Sequence, residues 1–240
     1  MRTFLLAGAI RDEWRKHIKI DIDIQANRVV NKVTGEVAGL PSTGLSFSTD
    51  GQDNVAVFTA ASFGGITFAH DANLAPGAGD FTIEAIFDVD SIPVQTADNS
   101  QIVPICMWGT WGAPGQTMNL DALYNHLTGG GMQMGQYKNN AGTYITKTGM
   151  GQVDMTKYVH FVFQRKNGVG YLYYNGTLVQ SGTFIPNLDA AGVGPFRIMS
   201  RRGGGAGDVF WRFVGKLKGF RFTHAAVYSG GQTITALDRF

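Results

Sequence analysis

The chain has 240 residues, of which 44 % are apolar and 16 % charged, with 33 glycines, a single cysteine and a formal net charge of +2. The apolar share excludes wholesale disorder, and the scattered glycines exclude a collagen repeat. One cysteine, Cys106, excludes an intrachain disulfide and a cysteine-based zinc site, while His17, His70, His126, His160 and His224 lack the pairing of a helical zinc motif.

Met1–Ile10 holds a short apolar run that Arg11-Asp12-Glu13 closes. It lacks a cleavage site, and the chain lacks an 18-residue apolar span, so neither a leader nor membrane insertion is expected. Residues 8–17 suggest a marginal helix around Trp14. Ile18, Ile20, Ile22 and Ile24 then alternate with Lys19, Asp21, Asp23 and Gln25, the period of a half-buried strand. Gly35, Gly39, Pro41 and Gly44 mark turns before a strand near Leu45–Phe47, and Asp50-Gly51 marks the next.

Phe81, Ile83, Ala85, Phe87 and Val89 share one parity against Thr82, Glu84, Asp88 and Asp90, which predicts a strand with one core face. The apolar run Ile102–Trp108 predicts a strand buried on both faces, the ordinary setting for a lone cysteine. Met132–Tyr137 and Thr143–Lys147 flank Asn139-Asn140-Ala141-Gly142 as a hairpin. Asn167-Gly168 and Asn175-Gly176 separate three alternating runs, a meander built on type I′ turns. Leu217 lies on one parity and Phe220 and Phe222 on the other, so a bulge is expected at Gly219. Strands without intervening helices exclude a parallel α/β sheet.

Charge is segregated by sign. From Val33 to Tyr137 there is no Lys or Arg but ten acids, whereas Arg197–His224 holds seven bases against Asp208 alone. Two readings stay open: neutralisation within one fold, or complementary surfaces on neighbouring subunits. The basic stretch carries no nucleic-acid motif, and no nucleic-acid partner is expected.

Several segments resemble one family. Gly65–Leu74 followed by Gly79-Asp80-Phe81-Thr82-Ile83-Glu84-Ala85 is similar to the opening of a laminin-G-like module of the concanavalin A-like lectin/glucanase superfamily. Tyr158–Arg165 resembles its "W-H-x-x-x-x-R" strand, with Tyr158 where Trp is usual, and Tyr171–Gly176 resembles its "L-Y-V-N-G" hairpin. Phe213–Phe222 is similar to its closing strand, and Ala225–Gly230 to the "A-R-Y-T-G" ending of phage-borne members. The resemblance spans roughly residues 40–231. It implies an all-β, antiparallel jelly-roll β-sandwich, in agreement with the strand pattern. Residues 1–40 are expected as an N-terminal arm and first strand available for docking, and 41–240 as the laminin-G-like domain.

The fold hosts binders, enzymes and structural parts, so function rests on the site. Glucanases of the superfamily carry Glu-x-Asp-x-x-Glu, which is missing here, and the chain has only three glutamates, Glu13, Glu36 and Glu84. Glu84 is expected to be a sheet-face residue with a structural partner, and no enzyme is expected. The resemblance allows a calcium ion on oxygens from Asp88, Asp90, Asp98, Asp121, Asp154 and Asp208, although solvated loop acids explain them more simply; no other cofactor is expected. Arg201–Asp208 has the glycines to cradle an anion but lacks the phosphate-loop context, which leaves an inter-strand loop. For a sugar, whose C–H faces stack on aromatic rings, the best constellation is Trp108 and Trp111 with Asn119, Tyr137, Asn139 and Asn140, near Tyr144. The expected function is a non-enzymatic phage virion protein, a capsid decoration or tail-surface component. It would be assembled in the host cytoplasm, adhering to other virion proteins and to copies of itself as a homo-oligomer. The alternative is a lectin for a host surface glycan, with a glycosidase less favoured.

Overall fold

A computed structural model describes residues 13–60, 64–90, 100–109, 116–125, 131–138, 141–148, 157–185, 188, 194–200 and 213–240; for 100–102 and 116–148 it describes the backbone alone. After a single 3-10 turn at Arg15–His17, the alternating isoleucines form β1 (Ile18–Ile24), with Ile20, Ile22 and Ile24 buried. β2 (Val29–Asn31) pairs with β1. β3 (Leu45–Asp50) and β4 (Asp53–Phe58) form a hairpin through Gly51, whose φ of 62° suits a residue without Cβ. β5 (Ile66–Phe68), β6 (Phe81–Val89) and β7 (Ser100–Trp108) follow. β8 (Gln116–Asn125), β9 (Gly131–Lys138) and β10 (Ala141–Thr148) complete a meander whose last pair is the expected hairpin.

β11 (Val159–Lys166), β12 (Val169–Tyr174) and β13 (Thr177–Thr183) form the second meander. Both of its turns have positive φ at both central residues, 52° and 74° at Asn167-Gly168 and 46° and 80° at Asn175-Gly176. β14 (Phe196–Ile198) and β15 (Gly215–Thr223) close the fold.

Among the described residues, β13-β12-β11-β6-β15-β1-β2 make one sheet, with the β3–β4 hairpin attached to β15 through β4; β10-β9-β8-β7-β14-β5 make the other. All pairings are antiparallel. The core lies between the sheets: Phe196 of one layer packs on Phe220 and Phe222 of the other, at ring distances of 5.7 and 5.6 Å. The register slips between Leu217 and Gly219, which lets Leu217, Phe220 and Phe222 all enter that core. Cys106 is buried in β7, where every side chain from Val103 to Trp108 is buried.

Two expectations need correction. The boundary at residue 40 falls inside the sandwich, because β1 is hydrogen-bonded to β15, β2 to β1, and Gly39 to Thr67. Residues 18–39 are therefore part of the domain. β6 has two buried faces rather than one, since all nine residues are buried. Thr82 and Glu84 of its polar parity lie beneath residues 224–240, which return across the outside of the larger sheet.

The "H-x-x-x-x-R" spacing of β11 has a structural meaning. His160 and Arg165 differ in parity, so His160 joins the outer face while Arg165 turns inward at the strand end. There its guanidinium stacks on Phe81 at 4.8 Å and donates to the carbonyls of Gly77 (2.6 Å) and Gly79 (2.8 Å), pinning the loop before β6. Burial pulls its pKa down to about 10.

Candidate functional site

The predicted aromatic constellation is divided by the sheet. Trp108 is 1 % exposed and belongs to the core cluster, opposite Phe196 on β14 and Met118 on β8. A sugar cannot stack on it, which corrects the expectation for this residue. The ladders β7–β8–β9 pair Asn119 with Met107 and Gly135, and Tyr137 with Thr117. Positions 119 and 137 therefore share one face of the smaller sheet, and Trp108 lies on the other. Tyr144, opposite Gly135, shares the face of position 119. Trp111, Asn139 and Asn140 lie outside the described residues, as do Asp98, Asp154 and Arg201–Asp208.

The larger sheet carries the second candidate. Glu84 on β6 faces outward, directly opposite Arg221 on β15. The Arg221 guanidinium donates to Glu84 Oε2 from Nε (2.8 Å) and Nη2 (2.5 Å). The Tyr228 hydroxyl donates to Glu84 Oε1, and His160 Nε2 stands 3.4 Å from the same oxygen. Burial alone would raise the carboxyl pKa; His160, Arg221 and Tyr228 outweigh it and hold Glu84 below the ordinary carboxylate range. The Tyr228 hydroxyl is pushed up, by burial first and then by Glu84. Glu84 is thus a structural anion, as its lone position in the sequence suggested.

Residues 224–240 are held over this network by side chains that act as a substitute strand. Gln164 donates from Nε2 to the Tyr228 carbonyl (3.1 Å) and accepts the Tyr228 N–H at Oε1 (2.7 Å). Thr82 Oγ1 donates to the Ala225 carbonyl (2.8 Å) and accepts the Val227 N–H (3.1 Å). His160 Nδ1 accepts the Leu237 N–H at 3.2 Å, which leaves Nε2 as the ring's donor, facing Glu84. Ile234 N–H donates to the Gly176 carbonyl at 2.8 Å.

Between this segment, Trp14 and β1 lies a cleft of about 650 Å³. Arg221 forms part of its floor. The rings of Trp14 and Phe240 both pack on the guanidinium, with centroids 4.7 and 4.5 Å from Cζ. Ile18, Val227 and Leu237 supply apolar surface; Ser229, Thr233 and Thr235 supply hydroxyls; Asp21 and Arg239 supply charge. The sequence did not reveal this site, because Trp14, Arg221 and Phe240 meet only through long-range pairing. The available signal was the polar parity of β6 facing His160 and Gln164 on β11, which calls for a polar cover.

Part of the sign segregation resolves within the chain, on β15. Lys216 meets Asp88 at 3.4 Å, Lys218 meets Asp53 at 2.8 Å, and Arg221 meets Glu84. Because β15 lies between β6 and β4, the basic strand is neutralised by the acidic stretch beside it. Among the described residues no three His, Cys, Asp or Glu side chains converge on a metal position. No helix among them is long and apolar enough to cross a membrane.

The fold has relatives among solved structures. The binding domain of Paraclostridial Mosquitocidal Protein 1 is 10 % identical with a TM-score of 0.63, covering 89 % of this chain and 50 % of that one. Domain 4 of the extracellular arabinanase AbnA of Geobacillus stearothermophilus, solved with arabinotriose, is 14 % identical with a TM-score of 0.54, covering 86 % and 84 %. A structure of botulinum neurotoxin type C is 10 % identical with a TM-score of 0.53, covering 92 % and 50 %. This chain thus spans half the length of the two toxin structures. No curated protein matches it in sequence. A laminin-G family model, described as the concanavalin A-like lectin/glucanases superfamily, matches residues 60–229. The chain belongs to the concanavalin A-like lectin/glucanase superfamily.

Proposed function

We propose that this chain is a non-enzymatic, lectin-like adhesion module that binds glycan. The observation that carries the reading is the state of Glu84. Glycoside hydrolysis needs two carboxyl groups flanking the scissile bond, one of them able to donate a proton. Glu84 is fully buried, held ionised, and accepts from Arg221 and Tyr228. Asp21, the carboxylate lining the cleft, is paired with Lys32 at 2.8 Å. Both acids are committed to structure, while the cleft beside them offers hydroxyls and apolar surface. The relatives support the reading: the arabinanase domain was solved with arabinotriose, and cell entry of neurotoxin type C depends on two gangliosides. Presented to an array of immobilised oligosaccharides, the full chain is expected to retain a subset of glycans and to release no sugar from them. Absence of binding to any glycan would refute the reading.

A finer reading places the module on a phage particle, as a capsid decoration or tail-surface component assembled in the host cytoplasm and associating with itself. The similarity of Ala225–Gly230 to the ending of phage-borne members supports it. Mass spectrometry of purified particles is the test for virion membership, and light scattering of the isolated chain is the test for self-association.

A further inference from the structure

The cleft over Arg221 has the properties of a built saccharide site. The Arg221 side chain is 10 % exposed, and the rings of Trp14 and Phe240 pack on its guanidinium. Nε and Nη2 are both spent on Glu84, and Nη1 has no acceptor among the described residues. A guanidinium clamped on one edge by a buried carboxylate and packed against two rings is held in one orientation, so its remaining donors have a fixed direction. Those donors belong to a residue that lines the cleft, where a ligand can accept from them.

Arg221 is matched by Glu84, and Asp21 by Lys32, while Arg239 adds a further cation to the lining. Toward the cleft stand the Nη1 donor, the Arg239 guanidinium, the hydroxyls of Ser229, Thr233 and Thr235, and the apolar surface of Ile18, Val227 and Leu237. Alternating donors and acceptors beside apolar surface suit a polyhydroxylated ring with its C–H face, and the volume lies in the range of small-ligand pockets. We propose that this cleft binds a short saccharide, with one ring oxygen or hydroxyl accepting a hydrogen bond from Arg221 Nη1. The proposal rests on the glycan-binding reading and moves its site from the Trp108–Trp111 region of the smaller sheet to the covered face of the larger one.

The test uses the full chain on an array of neutral and carboxylate-bearing oligosaccharides, comparing wild type with Thr235→Trp and Trp111→Ala. Thr235 is exposed on the cleft wall, so the indole fills the cleft without entering the core. The expected result is wild-type binding to a subset of the oligosaccharides, weakened by about tenfold or more in Thr235→Trp and unchanged in Trp111→Ala. Equal thermal melting of the three proteins shows that the fold is kept. Undiminished binding by Thr235→Trp overturns the placement while leaving the glycan-binding reading intact. If wild type binds nothing on the array, the glycan-binding reading itself fails.

Discussion

Arg221 and Glu84, 137 residues apart in sequence, meet directly across the β6–β15 ladder, and both of the guanidinium's donating nitrogens there converge on a single carboxylate oxygen. The other oxygen takes the Tyr228 hydroxyl and faces His160. Desolvating two charges is tolerable only when each remaining lone pair is engaged, so removing one partner costs more than the pair contributes. Glu84→Gln or Arg221→Met alone is expected to lower unfolding free energy by about 3 kcal/mol. The double variant Glu84→Gln/Arg221→Met should lose clearly less than the sum of the singles. Urea denaturation of the four proteins measures the coupling, and strict additivity would contradict the buried pair.

The C-terminal segment lies close on Gly176. A Cβ there would sit 2.3 Å from the Ile234 carbonyl oxygen, and the residue's φ is 80°. Gly176→Ala therefore meets both a backbone clash and left-handed strain, an expected loss of about 2 kcal/mol. The loss should appear as earlier proteolytic cleavage within residues 224–240. Gly182→Ala, where a Cβ meets nothing within 4 Å, is the control and should cleave like wild type.

Acid stability has a component from His224. Burial, before any other influence, lowers its pKa from 6.5 to about 4, and Nε2 contacts the Leu74 carbonyl at 3.1 Å. The unfolded ring binds its proton at higher pH than the folded one, so stability rises with pH across this interval. It is complete above pH 6.5 and is lost as pH falls toward 4. Allowing for the ring's partial exposure, the change is on the order of 2 kcal/mol. Glu84, with its lowered pKa, adds a further loss below its unfolded value of 4.5. Chemical denaturation from pH 7 to 4 should show a shallower slope for His224→Gln; an unchanged slope would remove His224 from the account.

Cys106 offers a probe of the sandwich. It is buried in β7 between fully buried neighbours. A thiol reagent is expected to label it only at the rate of unfolding, with full labelling in denaturant. Rapid labelling of the native chain would contradict the burial of this strand.

The strands of the β11–β13 meander were legible because everything that defines them is local. Asn167-Gly168 and Asn175-Gly176 dictate positive φ, and alternation dictates which side chains share a face. The slip at Gly219 was legible for the same reason, since a change of parity between Leu217 and Phe220 must be absorbed by the intervening residue. The burial of Trp108 was legible in the same way, because the run Ile102–Trp108 is apolar on both parities and predicts a strand buried on both faces.

The amino-acid sequence alone determined the all-β class, the turn geometry and the core parity of most strands, because these follow from backbone sterics and period-2 alternation within a few residues. The tertiary structure alone decided that β15 lies between β6 and β4, which neutralises the bases of that strand. It also decided that residues 224–240 cover Thr82, Glu84, His160 and Gln164, and that Trp14 and Phe240 meet on Arg221. Those outcomes rest on contacts between residues in different parts of the chain, and alternation specifies that a strand has two faces without specifying what will cover each one.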